Sequence, residues 1–146
     1  MDLTEAVARE GRWIATEPGF DRAERKARFT ASAGDPNGAA FVADAGGLVV
    51  GQAGIGRRAS AVPASLGMMV AVEWRGRGIG SALLAACVEW ARVAGVHKVM
   101  LEVWPHNDAA LALYRKHGFV QEAYFTKHYR RANGELWDSI TMGLLL

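Results

Sequence analysis

The chain is poor in cysteine: Cys87 is the only one in 146 residues. A single thiol excludes an intramolecular disulfide and a cysteine-ligated zinc site, and it suits a reducing compartment. Long apolar runs are also missing. No segment reaches about 18 consecutive apolar residues, so none is expected to span a membrane. The N-terminus lacks a basic start followed by an apolar core, so no signal peptide is expected and the cytoplasm is the default location. An excess of one charge sign is missing too. The net charge is +2, and Lys and Arg form no long tract, which argues against a nucleic-acid partner. The densest basic group, Arg22, Arg25, Lys26 and Arg28, falls at helical spacing among Asp21 and Glu24 and reads as a solvated helix face. His97, His106, His117 and His128 share no metal-ligand spacing, so no metal is assigned. Repeats, low-complexity segments and linkers are absent. What remains is 51% hydrophobic and 22% charged, the balance of one globular domain, residues 1–146, with one core.

Periodicity then places the elements. Leu3, Val7, Trp13 and Ile14 fall near one face of a helix over Leu3–Ile14, with Thr4 as its cap. Glu17-Pro18-Gly19 breaks it. Asp21 caps a second helix to Ser32, which Gly34-Asp35-Pro36-Asn37-Gly38 ends. Strands follow over Ala39–Ala43 and Leu48–Arg57, joined by a hairpin turn at Asp44–Gly47. The near-continuous apolar run within Ser65–Val72 reads as a strand buried on both faces. A helix from Gly78 to Ala94 presents Leu83, Leu84, Cys87, Val88 and Ala91 on one stripe, and Gly95 ends it. His97–Trp104 is a strand. Asn107 or Asp108 caps a helix to His117. Two long strands, Phe119–Tyr129 and Leu136–Leu146, flank an Asn133-Gly134 turn. The order α-α-β-β-β-α-β-α-β-β predicts an α/β fold, a mixed central sheet flanked by helices.

Between the third strand and third helix lies Arg75-Gly76-Arg77-Gly78-Ile79-Gly80-Ser81. Strand, glycine-rich turn and helix together aim free backbone N–H groups at a phosphate. Three glycines let the backbone approach a ligand, and Arg75 and Arg77 add forked positive charge. A bound pyrophosphate is the expectation. A P-loop requires Gly-Lys-Ser or Gly-Lys-Thr, and the lysine is missing. A dinucleotide fingerprint requires G-x-G-x-x-G. Gly78-Ile79-Gly80 is followed by leucine at position 83, and Gly76-Arg77-Gly78 by serine at 81, so neither frame fits.

A third ligand remains, coenzyme A. Val70-Ala71-Val72-Glu73-Trp74-Arg75-Gly76-Arg77-Gly78-Ile79-Gly80 closely resembles motif A of the GNAT superfamily of N-acetyltransferases, V-x-P-x-x-R/Q-x-x-G-x-G/A. The departure is Val72 where proline is usual. Leu101-Glu102-Val103-Trp104-Pro105-His106-Asn107-Asp108-Ala109-Ala110, with Leu113-Tyr114-Arg115-Lys116-His117-Gly118-Phe119, resembles motif B. The likeness covers about Gly47 to Leu146 and is similar to small bacterial enzymes of the ribosomal-protein alanine acetyltransferase type.

That resemblance implies a GNAT acyl-CoA N-acyltransferase fold. Acetyl-CoA, as co-substrate, would lie between two splayed parallel strands, Ser65–Val72 and His97–Trp104. The backbone of Met68, Met69 and Val70 would meet the pantetheine and acetyl groups. The N–H groups of Arg75, Gly76, Arg77, Gly78, Ile79, Gly80 and Ser81 would hold the pyrophosphate, and Asn107 would bond the pantetheine arm. Glu102 matches the family's general base and Tyr114 the acid that protonates the departing thiolate. Each has a plainer reading: Glu102 as a solvent-facing strand residue, Tyr114 as a core aromatic, Asn107 as a helix cap. Glu102, flanked by Leu101 and Val103, is expected to be half-buried.

The acceptor would enter beside the first helices and the final hairpin, near Trp13, Glu17, Tyr124, His128, Tyr129 and Trp137. Glu17 is a candidate for pairing a cationic amine, or else a turn residue. The aromatic Tyr124–Tyr129 strand suits a groove or a homodimer contact. Small amine and peptide N-terminus both remain open as acceptors. Members of the family usually begin with a strand before the first helix. Here only Met1, Asp2 and Leu3 precede the helical pattern, so that strand is expected to be missing or the chain start truncated.

Overall fold

A computed structural model describes residues 2–146. Four helices, α1 (Leu3–Arg9), α2 (Arg22–Ala33), α3 (Ile79–Val93) and α4 (Asp108–Lys116), accompany six strands. These are β1 (Gly38–Ala45), β2 (Leu48–Gly56), β3 (Ala64–Val70), β4 (Lys98–Val103), β5 (Val120–Arg130) and β6 (Leu136–Leu145). They form one mixed sheet in the order β1-β2-β3-β4-β6-β5. Among the described residues no strand precedes α1, and no helix is long and apolar enough to cross a membrane.

The expected elements are present, with shifted ends. α1 stops at Arg9 rather than Ile14, because Gly11 takes φ +68° and the Glu10 side chain turns away to bond Arg75 and Trp13. Its cap is Asp2, whose Oδ1 accepts from the Thr4 N–H at 2.9 Å, so Thr4 is capped rather than capping. Asp21 and Asn107 cap α2 and α4 as the sequence predicts. The β1–β2 hairpin turns at Gly46 and Gly47, both at positive φ, the conformation of a tight two-residue turn.

The core lies where α3 and α4 cover the sheet. Leu83, Leu84, Cys87, Val88 and Ala91 of α3 are all buried, as their spacing predicts. They meet Ala53, Ile55, Val99, Leu101, Val103, Ile140, Met142 and Phe119. Fully burying one such aliphatic side chain stabilises the fold by roughly 1.5–3 kcal/mol. β3 departs from its expected burial on both faces. Ala64 and Leu66 are buried, but Ser65 and Gly67 are exposed and Met68, Met69 and Val70 are half-buried. The far part of β3 faces a cleft instead of protein.

That cleft exists because β3 and β4 barely pair. The parallel ladder holds only Ala64↔Val99 and Ser65↔Met100. Beyond it, β3 continues along β2 to Val70, and β4 continues along β6 to Val103. The two strands no longer share hydrogen bonds, and a wedge opens between their C-terminal halves.

Candidate active site

The wedge widens into a cleft of about 730 Å³. Its wall gathers Met68, Met69, Val70, Arg75, Gly76, Gly78, Gly80, Ser81, Glu102, Asn107 and Tyr114 from separate parts of the chain. Arg77 and Ile79 belong to the same turn but do not line it.

Strand geometry decides which β3 groups face the gap. The Ala71 N–H donates to Val50 C=O at 2.8 Å. In an antiparallel ladder, bonded and non-bonded residues alternate. With Val70 opposite Gly51 and Met68 opposite Ala53, the main-chain groups of Val70 and Met68 point into the wedge. Those of Met69 point back to β2, away from the wedge, unlike the expectation for its backbone. The Val70 carbonyl is already taken, accepting from Arg75 Nε at 3.0 Å. The N–H groups of Met68 and Val70 and the Met68 carbonyl are the main-chain groups left facing the wedge.

The glycine turn is open. The N–H groups of Gly76, Arg77, Gly78, Ile79, Gly80 and Ser81 donate to no acceptor among the described residues; the first bond into α3 is Ala82 N–H to Gly78 C=O. Free donors at a helix N-terminus, with its positive dipole end, form an anion site. The glycines have different reasons. Gly76 (φ +72°) and Gly78 (φ +84°) hold left-handed backbone, while a Cβ on Gly80 would sit 3.2 Å from Leu113 Cδ2. Gly80 therefore lets α3 start close against α4 rather than clearing space for the ligand.

Arg75 does not take its expected place in the cradle. Its N–H donates to Val72 C=O at 3.4 Å, and its guanidinium grips Glu10 with bonds of 2.8 and 2.7 Å. That fork lowers the pKa of Glu10, with a smaller contribution from the Trp13 indole N–H. Arg75 is a strut tying the end of α1 to the turn. Arg77 lies over the Trp74 ring, 4.9 Å from its centroid, and pairs with no carboxylate among the described residues. A further side chain was not foreseen at the cradle: His117 Nε2 bonds Ser81 Oγ at 2.8 Å.

Across the wedge stand the two expected catalytic groups. Tyr114, on α4, is 7% exposed and packs on Phe119 with centroids 5.9 Å apart. Its hydroxyl has no partner among the described residues, and burial pushes its pKa up to about 12. It is thus a core aromatic that also lines the cleft. Asn107 is a helix cap, its Oδ1 accepting from the Ala110 N–H at 3.2 Å, and its side-chain N–H donors have no partner among the described residues at the cleft wall.

Glu102 is exposed rather than half-buried. Alternation puts Leu101 and Val103 in the core, and the opposite face of β4 is here open cleft. Its Oε2 accepts from the Tyr129 hydroxyl and, at 3.5 Å, from Ser139 Oγ, leaving Oε1 free. The bond to Glu102 pushes the Tyr129 pKa up to about 12, with burial adding to it. Tyr129 reaches Glu102 because β5 bulges. Between Phe125↔Ser139 and Tyr129↔Trp137, Thr126, Lys127 and His128 stand opposite Asp138 alone. Lys127 takes φ 51° there, and Asp138 Oδ1 accepts its N–H at 2.7 Å. The hairpin signal in the sequence carried no trace of this bulge.

Glu17 is not free to meet an amine. It pairs with Arg131 Nε at 2.9 Å and accepts from the Ala132 N–H. Arg131 is 7% exposed, lies 4.5 Å from the Trp137 ring centroid, and bonds the carbonyls of Ile14 and Ala15. Together they fasten the α1–α2 connection to the final hairpin. Arg25 is the reverse case: predicted as solvated, it lines the cleft. Its neighbours Arg22, Lys26 and Arg28 are exposed as predicted.

Among the described residues no cluster of three or more His, Cys, Asp or Glu side chains is placed to hold a metal ion. The family model "Acetyltransferase (GNAT) family" matches residues 4–119. N-alpha-acetyltransferase RimI of Mycobacterium tuberculosis is 40% identical over 119 residues, covering 80% of this chain and 72% of that protein. A mycothiol acetyltransferase of Pseudarthrobacter chlorophenolicus is 36% identical over 68% of this chain, but the match spans only 32% of that protein. The crystal structure of a ribosomal-protein-alanine N-acetyltransferase from Brucella melitensis superposes with a TM-score of 0.85 at 27% identity, covering 99% of this chain and 91% of that one. A wedge between parallel strands, a row of free amides at a helix start and a carboxylate facing a phenol thus meet a matching sequence, and the chain belongs to the GNAT family of acetyltransferases.

Proposed function

We propose that the chain transfers an acetyl group from acetyl-CoA to the α-amino group of a protein or peptide, with both reactants bound at once. The observation that carries this is the wedge itself: two paired residues at its root, inward amides at Met68 and Val70, and a row of free donors at its mouth. That shape and polarity fit an extended arm ending in a pyrophosphate. The donors of Gly76 to Ser81 would hold the diphosphate. Met68 and the Asn107 amide would hold the arm, as an added strand pairs with an open edge.

When bound, acetyl-CoA supplies a thioester whose carbonyl carbon an amine attacks and whose thiol then leaves. The chain's own residues supply the rest. The Val70 N–H faces the wedge where it can stabilise negative charge developing on an oxygen. Glu102, through its free Oε1, accepts the proton that the attacking amine must lose. Tyr114 stays a neutral donor at physiological pH, because its pKa lies near 12, and gives its proton to the sulfur. Tyr129 and Ser139 orient Glu102. The peptide reading draws support from the RimI relative and from the acceptor half of the cleft, walled by Trp13, Trp104 and Tyr129. A cytoplasmic location belongs to the same reading, since an unpaired Cys87 suits a reducing compartment.

The test combines thermal shift with thiol release. Acetyl-CoA at 100 times its dissociation constant is expected to add about 2.7 kcal/mol of stability, where NAD and ATP add none. With acetyl-CoA present, a peptide with a free N-terminus is expected to release CoA thiol, and its N-acetylated form is not. Thiol release with no difference between the two peptides overturns the proposal.

A further inference from the structure

The charged side chains of the cleft wall are Arg25, Arg75 and Glu102. Arg75 is neutralised by Glu10. Arg25 has no ion-pair partner among the described residues; its guanidinium lies 5.6 Å from the Phe20 ring centroid. Its Nε meets Thr4 Oγ1 at 3.4 Å and its Nη1 meets Thr16 Oγ1 at 3.1 Å. Both partners are uncharged hydroxyls, and Nη2 has no partner among the described residues.

The arginines around it are satisfied differently. Arg9 and Arg22 pair with Glu5, Arg28 with Glu24, and Arg131 with Glu17. No carboxylate among the described residues lies within ion-pair distance of Arg25. Asp2 acts on it through space, but its Oδ1 is committed to capping α1. Burial lowers the Arg25 pKa, the mark of a cation held where water is scarce. A half-buried guanidinium without an anion is a costly feature unless something completes it.

The cleft therefore carries two charges with no ion-pair partner among the described residues: a guanidinium on α2 and a carboxylate on β4. Glu102 suits the amine end of an acceptor. We propose that Arg25 reads a carboxylate on the same acceptor, so that the preferred substrate is an amine bearing a nearby negative charge. This deepens the acetyl-transfer reading and rests on it. The carboxylate is either that of a free amino acid or an acidic side chain close to a peptide's N-terminus; the chemistry at Arg25 is the same, a planar fork against a planar anion.

Two matched pairs of acceptors separate the sources: alanine against alaninamide, and the C-terminally amidated peptide Ala-Glu-Ala-Ala against Ala-Gln-Ala-Ala. Steady-state thiol release with saturating acetyl-CoA gives kcat/KM for each. The wild-type chain is expected to favour the charged member of at least one pair by about tenfold, roughly 1.4 kcal/mol. Most of that difference is expected in KM, since Arg25 bonds Thr4 and Thr16 and neither Glu102 nor Tyr114. In Arg25→Gln the ratio is expected to collapse to within about twofold, and Arg25→Lys to retain part of it. Where Arg25→Gln does not fold, Arg25→Met keeps the aliphatic stem and removes the charge. Equal rates within both pairs in the wild-type chain overturn the inference, as does a preference that survives loss of the charge. Acetylation of the amides alone would leave acetyl transfer intact while removing the role of Arg25. Failure of all four acceptors alongside other peptide amines would instead overturn the transfer reading.

Discussion

Replacing Tyr114 by phenylalanine tests the proposed chemistry with little disturbance of the fold. The Tyr114 ring is buried against Phe119, and phenylalanine keeps that contact. The hydroxyl gives up no bond when removed, because it has no partner among the described residues. The expected loss of stability is therefore within about 1 kcal/mol, or about 2–4 °C in melting temperature for a chain of this size. The expected loss in rate is much larger. A positioned acid contributes about 10²–10⁴-fold, so the rate of acetyl transfer should fall about 100-fold or more, roughly 2.7 kcal/mol in the barrier. The assay is thiol release in a single turnover, so that slow product departure does not hide the chemical step. The pH dependence adds a second check. With its pKa near 12, the phenol stays protonated throughout the range of an ordinary assay, so Tyr114 should impose no fall in rate between pH 8 and 10. A phenylalanine variant within threefold of the wild-type rate, melting at the same temperature, would refute the assignment and leave Tyr114 as packing.

Other changes probe the frame around the chemistry. Glu17→Ala leaves Arg131 buried without its carboxylate; because Glu17 is partly exposed, the loss is expected near the low end for a broken buried pair, about 3 kcal/mol, and is read from chemical denaturation. Gly78→Ala meets no side chain within 4 Å but forces a Cβ onto backbone at φ +84°. A cost of about 1–2 kcal/mol in melting and a weaker acetyl-CoA thermal shift are expected. Glu10 carries a pH signature. Its folded pKa is lowered, chiefly by Arg75, so its stabilising contribution is full above the unfolded value of 4.5 and is lost as pH falls through the folded one. The stability gap between wild type and Glu10→Gln should therefore shrink on acidification; a gap that stays constant from pH 7 to pH 3 refutes the pairing.

The sequence carried the order of elements because each is written in local terms. The stripe of α3, the caps at Asp21 and Asn107 and the glycines after each helix depend on neighbours within a turn or two. The glycine turn was legible for the same reason. What stayed hidden depends on contacts between distant segments. Nothing near Arg75 announces that Glu10, 65 positions away, will hold its fork, and nothing near Glu17 announces Arg131. Arg25 looked like its neighbours Arg22, Lys26 and Arg28, since helical spacing tells which residues share a face but not that one of them overhangs a cleft. The bulge at Lys127 escaped because no glycine or proline marks it within Phe119–Tyr129, and the carboxylate that holds it, Asp138, lies on the partner strand.

The two-pair ladder between β3 and β4 also has a mechanical meaning. The molecule consists of two three-stranded leaves bound along a short spine. The cradle rides on one leaf, because α3 packs on β1, β2 and β3; Glu102 rides on the other. Whatever lies along the spine touches both leaves at once. In the proposed reaction acetyl-CoA would thus serve as mortar as well as reagent, bridging the leaf that carries the glycine turn and the leaf that carries Glu102.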